Sequence, residues 1–158
     1  MAENHYRQTR NVELSTLKFI EDNLTLDWTG VNLVKTFTQL DKKASPVICV
    51  MLNETDYNRN ELGSTAYRPT YVFTIDIFAK SDAQRIDLSD YIMDTLNPGW
   101  TYYEVSQSSG SNRTLVYTDA GRVRIDGITD NVKVDLGEMG DIKDKYRQSI
   151  VITVTVGC

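Results

Sequence analysis

The chain has 158 residues, of which 41% are hydrophobic and 25% charged, and its formal net charge is −5. This composition is typical of one globular domain, so we expect residues 1–158 to form a single domain with a flexible tail over residues 1–10. No apolar run is long enough to cross a bilayer, the N-terminus lacks a signal-peptide profile, and the negative charge argues against general nucleic-acid binding. We therefore expect a protein that folds in the cytosol.

The first predicted element is an amphipathic helix near the N-terminus. Leu14, Leu17, Ile20 and Leu24 recur every three or four residues, which is the spacing of one apolar helix face. Asn11 is placed to cap the start of this helix. A helix with one apolar face needs a surface to cover, and we expect that surface to be a β-sheet.

Two strands are predicted after this helix. Residues 31–40 have the alternating pattern of a strand, and residues 47–52 form an unbroken apolar run. Such a run is typical of a strand that is covered on both faces. If the five-residue connection at residues 42–46 is a hairpin, the two strands are antiparallel.

Residues 53–69 are predicted to form a long polar loop that contacts another protein. The segment is rich in turn-forming residues, and loops of this length inside compact domains are usually functional or disordered. The alternative is a solvated loop without a role. On loop position alone, the candidate interface residues are Asp56, Tyr57, Arg59, Glu61, Tyr67 and Arg68.

The strongest local signal is a strand that leads directly into a helix. Alternate apolar residues from Tyr71 to Ala79 predict a strand with one buried face. Ser81 begins a capping-box pattern, which predicts a helix over residues 82–96 that stops before Pro98. The expected buried stripe of this helix is Ala83, Ile86, Leu88, Ser89, Ile92, Met93 and Leu96.

The C-terminal half is predicted to add strands to the same sheet. We expect strands at residues 100–105, 122–126 and 128–136, with a flexible loop at residues 106–114 and a turn at residues 117–121. The last predicted strand covers residues 146–156. Its apolar residues face one way and its polar residues face solvent or a partner. The predicted fold class is α+β, with a mostly antiparallel or mixed sheet, two flanking helices and long polar loops.

The sequence contains no recognisable catalytic motif. It has no glycine-rich phosphate loop and no nucleophile elbow, and its only histidine, His5, lies in the predicted tail. We expect no enzyme activity and no cofactor. Cys49 is expected to be buried and inert, and its pairing with Cys158 is not expected in a reducing compartment.

Acidic residues crowd one region without matching the spacing of an EF-hand loop. A cation between them is one interpretation, and a solvated acidic face is the ordinary one. The residues concerned are Asp126, Asp130, Asp135, Glu138, Asp141 and Asp144.

The order of elements resembles the neck proteins of tailed bacteriophages, specifically the tail terminator (tail completion) family. The resemblance covers residues 14–156: an N-terminal helix, a strand pair, and a long loop that ends near residues 68–70. A strand ending at residues 75–79, a helix over residues 82–96 and a terminal strand introduced by residues 145–147 complete it.

The resemblance implies a homohexameric ring in the virion neck. Such a ring caps the tail tube, receives the head connector or stopper protein, and contacts the tail sheath if the tail is contractile. DNA passes through its channel without specific binding, and an acidic subunit would keep the duplex from adhering. The resemblance implies no catalytic or metal-binding residues and no membrane contact.

Several alternatives remain open at this stage. Another neck or head-completion protein, a stopper or an adaptor, has a similar size, and a tail tube protein is a further possibility. A second class is a small metal-binding or ligand-binding domain that uses the acidic residues. A third hypothesis is a monomeric adaptor that binds a protein through the edge of the terminal strand.

Overall fold

The computed structural model describes residues 7–59, 62–63, 67–108, 111, 114–134 and 146–157. Within these residues it has two α-helices, α1 (Gln8–Asp27) and α2 (Asp82–Leu96), and one 3₁₀ helix (Phe37–Lys42). The strands are β1 (Asn32–Val34), β2 (Val47–Arg59), β3 (Tyr67–Phe78), β4 (Trp100–Gln107), β5 (Leu115–Val134) and β6 (Arg147–Gly157). They form one mixed sheet in the order β1-β2-β3-β6-β5-β4, which confirms the predicted α+β class.

The β1–β2 connection differs from the predicted hairpin. β1 is only three residues long, and it pairs with β2 in parallel, whereas all other neighbouring strands are antiparallel. The strand predicted over residues 31–40 is confirmed only at Asn32–Val34, and its remainder was wrong because the chain turns into the 3₁₀ helix. Leu40 of the 3₁₀ helix is buried in a cluster with Val47 and Phe78. This apolar side chain therefore packs into the core, and its backbone does not pair with another strand.

The main core lies between one face of the sheet and both helices. α1 contributes Val12, Ile20 and Leu24, while Leu88, Ile92 and Leu96 of α2 complete the helical layer. The apolar run of β2 is covered on both faces, as predicted. Its residues Ile48 and Val50 enter the main core, whereas Val47 and Cys49 join a smaller cluster on the opposite face.

The β3–α2 unit is confirmed. Alternate residues of β3 from Tyr71 to Ala79 are buried, and the Ser81 hydroxyl accepts a hydrogen bond from the Gln84 amide at 3.2 Å. The Gln84 side chain in turn accepts from the Lys80 amide at 2.8 Å, so one free donor of the first turn and the amide before the N-cap are both satisfied. The helix ends at Leu96, as predicted.

The buried face of α2 is rotated relative to the predicted stripe. Ala83 is exposed and Ile86 is 45% exposed, whereas Arg85 is buried. Arg85 occupies this position because its guanidinium bonds the Asp82 carboxylate at 2.9 Å and also the Gln148 side chain. A buried polar network on the sheet thus replaces apolar contacts at the start of the helix.

β5 is one strand of 20 residues where the sequence predicted a turn and two strands. Three register shifts interrupt its pairing, and they leave Ala120, Asp126 and Thr129 as bulged residues. Each bulge shifts the alternation of side chains by one position. The strand therefore lacks the period of two that would have identified it. The turn predicted at residues 117–121 was wrong.

β6 is an interior strand, with β3 on one side and β5 on the other. Ile150, Ile152 and Val154 are fully buried in the main core, as their alternation predicted. The hypothesis of a free terminal-strand edge was therefore wrong. The outer strands of the described sheet are β1 and β4.

Candidate interaction surface

β2 and β3 extend beyond the rest of the sheet as a two-stranded arm. The pairing of β3 with β6 stops at Tyr71 and Val154, whereas the pairing of β2 with β3 continues to Arg59 and Tyr67. We call residues 55–59 and 67–70 the arm. The predicted loop at residues 53–69 was therefore wrong over its strand residues. Pro69 is tolerated here because, among the residues that the structure describes, this stretch of β3 pairs with β2 alone.

One face of the arm carries an aromatic–arginine cluster of Tyr57, Tyr67 and Arg59. The two tyrosine rings meet edge to face, with centroids 6.3 Å apart and an interplanar angle of 80°. The Arg59 guanidinium lies 5.6 Å from the Tyr67 ring centroid. Tyr57 is 56% exposed and Tyr67 46% exposed, so the cluster is both ordered by its own contacts and open to solvent.

The other face of the arm carries Asp56, Asn58 and Arg68. The Asn58 amide donates to the Asp56 carboxylate at 3.5 Å, and all three side chains are exposed. Five of the six predicted interface residues thus lie together on this arm, but on two different faces. Glu61 lies outside the described residues.

The base of the arm is fixed to the body of the protein. Tyr71 is 1% exposed, and its hydroxyl donates to the Gln8 side chain at 2.8 Å, at the first residue of α1. Burial raises the pKa of Tyr71 to about 12. The arm therefore extends from a rigid attachment point and is not a free loop.

Sequence reasoning missed a polar contact between α1 and the outer edge of β4. The Ser15 hydroxyl accepts from the Tyr103 backbone amide at 2.9 Å, and the Asn11 side-chain oxygen Oδ1 accepts from the Val105 backbone amide at 3.3 Å. The Thr16 hydroxyl accepts from the Trp100 indole at 3.1 Å. Asn11 is thus a buried residue within the helix and not its cap. Leu14 and Leu17 of the predicted stripe are only half-buried, so the buried face of α1 is rotated towards Asn11 and Ser15, and the apolar spacing gave no signal for this contact.

A buried ion pair lies on the sheet face opposite the helices. The Arg147 guanidinium bonds the Asp76 carboxylate at 3.3 Å, and Asp76 is 1% exposed. The guanidinium also lies 5.4 Å and 5.0 Å from the ring centroids of Phe37 and Phe78. Burial, followed by the Asp76 charge, raises the pKa of the neighbouring Cys49 thiol to about 11, so this thiol is inert at neutral pH.

The acidic residues named above do not form a metal site in the part of the chain that the structure describes. Asp126 accepts a hydrogen bond from the Thr155 hydroxyl at 3.1 Å, and Asp130 is exposed on β5. Asp135, Glu138, Asp141 and Asp144 lie outside the described residues. Across the described ranges, no group of three or more histidine, cysteine, aspartate or glutamate side chains could hold a metal ion.

The outer surface of the helical layer is acidic. The exposed carboxylates lie on α2 and on the C-terminal half of α1: Asp82, Asp87, Asp90, Asp94, Glu21, Asp22 and Asp27. This surface would repel a nucleic-acid backbone. Neither helix in the described ranges is long and apolar enough to span a membrane.

An open cleft of about 530 Å³ separates the start of α1 from the end of β4. Its lining includes Arg7, Arg10, Ser106 and Gln107. Every buried side-chain nitrogen or oxygen that the structure describes already has a hydrogen-bond partner. The cleft thus presents no buried polar group that a ligand would need to satisfy.

No protein-family model matches this sequence, and a search of curated proteins finds no match.

Proposed function

We propose that this protein is a structural subunit of a tailed-bacteriophage virion, a tail terminator that forms a ring on the tail tube and joins the tail to the head connector. The observation that carries the proposal is the arm, with Tyr57, Tyr67 and Arg59 exposed at its side. Six of the nine arm residues are exposed, namely residues 56–59, 67 and 68. The arm is suited to contact with a neighbouring protein.

The chemistry of the cluster supports a protein partner. Tyrosine and arginine are the residues most enriched at the energetic centres of protein interfaces, since they combine apolar area with hydrogen-bonding groups. Mutual packing of Tyr57, Tyr67 and Arg59 restricts their rotamers before binding. Less conformational entropy is then lost when a partner covers them.

The distribution of charge supports a ring around DNA that does not bind DNA. The formal net charge is −5, and the exposed carboxylates of both helices add local negative potential. Acidic surfaces near the channel would let the duplex slide without adhesion. The subunit would assemble in the host cytoplasm and remain in the virion neck.

The primary test is electron microscopy of the purified protein over a range of concentrations, alone and with tail tubes of its virus. We expect rings of uniform subunit number and caps on tube ends. A stopper or adaptor protein would instead bind the head connector and leave tube ends bare. Monomers at every concentration, with and without tubes, would overturn the proposal.

A variant pair tests the role of the arm. Tyr57→Thr combined with Tyr67→Thr removes the cluster's rings but keeps residues that favour a strand. We expect tube capping to fall by at least about tenfold, as for the loss of an interface centre. The matched control is Tyr103→Thr with Tyr117→Thr, a second aromatic pair with centroids 5.6 Å apart and Lys18 above one ring. Equal loss in both variants would contradict a specific role for the arm.

A further inference from the structure

Among the unpaired strand edges in the described part of the chain, two are long. β5 pairs with β4 only as far as Val123, so residues 124–134 pair with β6 alone. β2 pairs with β1 only at residues 47–49, so residues 50–59 pair with β3 alone. Such edges present free N–H and C=O groups to any strand that can align with them.

The two open edges have matching polarity. β2, β3, β6 and β5 are successively antiparallel, so β2 and β5 run in opposite directions. A second copy that is rotated about an axis parallel to the strands would present its β2 antiparallel to β5 of the first. A single ladder would then continue from one sheet into the next.

The rows of residues across the sheet define a register for this contact. Leu52, Phe73, Ile152 and Ile128 form one row from β2 to β5. The same rotation would bring the ends of this row together, with Leu52 of one copy against Ile128 of the next. Ile128 is 53% exposed in the single subunit, and this contact would cover it.

Charges are complementary in the same register. Thr55, Tyr71, Val154 and Ile125 form another row. One residue further along the outer strands lie Asp56 on β2 and Arg124 on β5, and both side chains are exposed. The shared register therefore places a carboxylate of one copy opposite a guanidinium of the next.

We propose that neighbouring copies join by antiparallel pairing of residues 124–131 of β5 with residues 50–56 of β2 in the next copy. The contact uses a different patch on each side, so it closes into a ring when the rotation between copies divides a full turn. The inference rests on the ring of the proposed function and specifies the contact that builds it. Asp56 belongs to this contact, whereas the aromatic–arginine cluster remains available to another partner.

The edges also carry features that restrict which strand can pair with them. β5 has bulged residues at Asp126 and Thr129, and β2 has one at Asn53. Bulges and charged side chains at an edge prevent indiscriminate association because only a strand with a compatible register can form the ladder. A second copy with Asp56 opposite Arg124 satisfies this requirement.

Disulfide cross-linking tests the register. Asp56→Cys and Arg124→Cys are introduced together in a Cys158→Ser background, in which the remaining Cys49 is buried. Within one subunit the two positions are three strand spacings apart, about 14 Å, which exceeds the reach of a disulfide. We expect mild oxidation of assembled rings to give a ladder of covalent oligomers. The matched control, Asn58→Cys with Arg124→Cys, moves one cysteine two residues along the same arm face and should give no ladder.

Charge reversal gives an independent readout. Asp56→Arg or Arg124→Asp alone should lower the ring population by about fivefold or more at fixed concentration, and the double reversal should restore it. If wild-type rings form but the cysteine pair does not cross-link and charge reversal has no effect, this inference is overturned while the proposed function stands. If the wild type forms no rings at all, the proposed function fails as well.

Discussion

The outer edge of β4 and the part of the β5 edge beyond it lie next to each other in the sheet, but they differ in whether their backbone amides have hydrogen-bond partners. Along β4, the side chains of Asn11 and Ser15 accept hydrogen bonds from the amides of Val105 and Tyr103, so α1 closes this edge. Along β5, no strand within the described ranges pairs with residues 124–134 on the side away from β6. One edge is satisfied within the subunit and the other is left available.

This difference explains the polar residues on the buried side of α1. A helix that only covered a sheet would carry apolar residues at positions 11 and 15, because buried polar groups are costly without partners. Here the polar groups replace a missing strand. Residues 50–59 of β2 and 124–134 of β5 have no such substitute among the residues that the structure describes.

The largest expected effect comes from opening the closed edge. Asn11→Ala combined with Ser15→Ala removes both acceptors and leaves two buried amides unsatisfied. Each such group costs about 1–3 kcal/mol, so we expect the free energy of unfolding to fall by about 2–6 kcal/mol. Urea unfolding followed by circular dichroism measures the change.

The control for this variant is Thr25→Ala on the same helix. The Thr25 hydroxyl is exposed and donates only to the Glu21 carbonyl of the preceding turn, at 2.8 Å. We expect its effect to stay within about 0.5 kcal/mol. If the double variant were as stable as this control, the α1–β4 contact would not hold the edge closed.

An intermediate effect on stability is expected at alkaline pH, where Tyr71 ionises. The Tyr71 hydroxyl bonds Gln8 and so attaches the start of α1 to β3. Burial raises the pKa of Tyr71 from 10.0 to about 12, whereas the unfolded chain ionises near the ordinary value. Above pH 10 the folded state therefore holds more protons than the unfolded state, and stability falls as pH rises towards 12. We expect a loss of about 2 kcal/mol from this group between pH 10 and pH 12, measured by urea unfolding at each pH.

Tyr71→Phe isolates this contribution. The variant loses the bond to Gln8 but has no phenol to ionise, so its stability should decline less steeply over the same pH range. Tyr91 and Cys49, whose pKa values are also raised, are unchanged in it and provide the common background. Identical pH profiles for variant and wild type would show that Tyr71 does not contribute to the alkaline transition.

The elements that could be predicted from the sequence are those with a single strong local cause. The β3–α2 unit combines strict alternation from Tyr71 to Ala79 with a capping box at Ser81, and the structure has both. β6 could be predicted because Ile150, Ile152, Val154 and Val156 give one of its faces four successive apolar residues. In each case burial on one side imposes the period that the sequence displays.

The elements that could not be predicted lack such a period. Residues 53–59 of β2 are almost all exposed on both faces of the strand, so they lack apolar alternation and resemble a loop. The bulges at Asp126 and Thr129 shift the pattern of β5. Position in the predicted loop was the only basis for the candidate interface residues, and most of them lie on the arm. Loop position carries no information about which face of the arm a residue occupies or about which strand edges are open.

The smallest expected effect on stability is at the open edge. Ile128→Lys places a charge on a side chain that is 53% exposed, and we expect the free energy of unfolding of the monomer to change by less than about 0.5 kcal/mol. Val105→Lys is the matched change on the closed edge. Val105 is 7% exposed beneath α1, so burying the ammonium there should cost several times more. If Ile128→Lys were as costly as Val105→Lys, the β5 edge would be covered within the subunit itself. A neighbouring copy could not then pair with it.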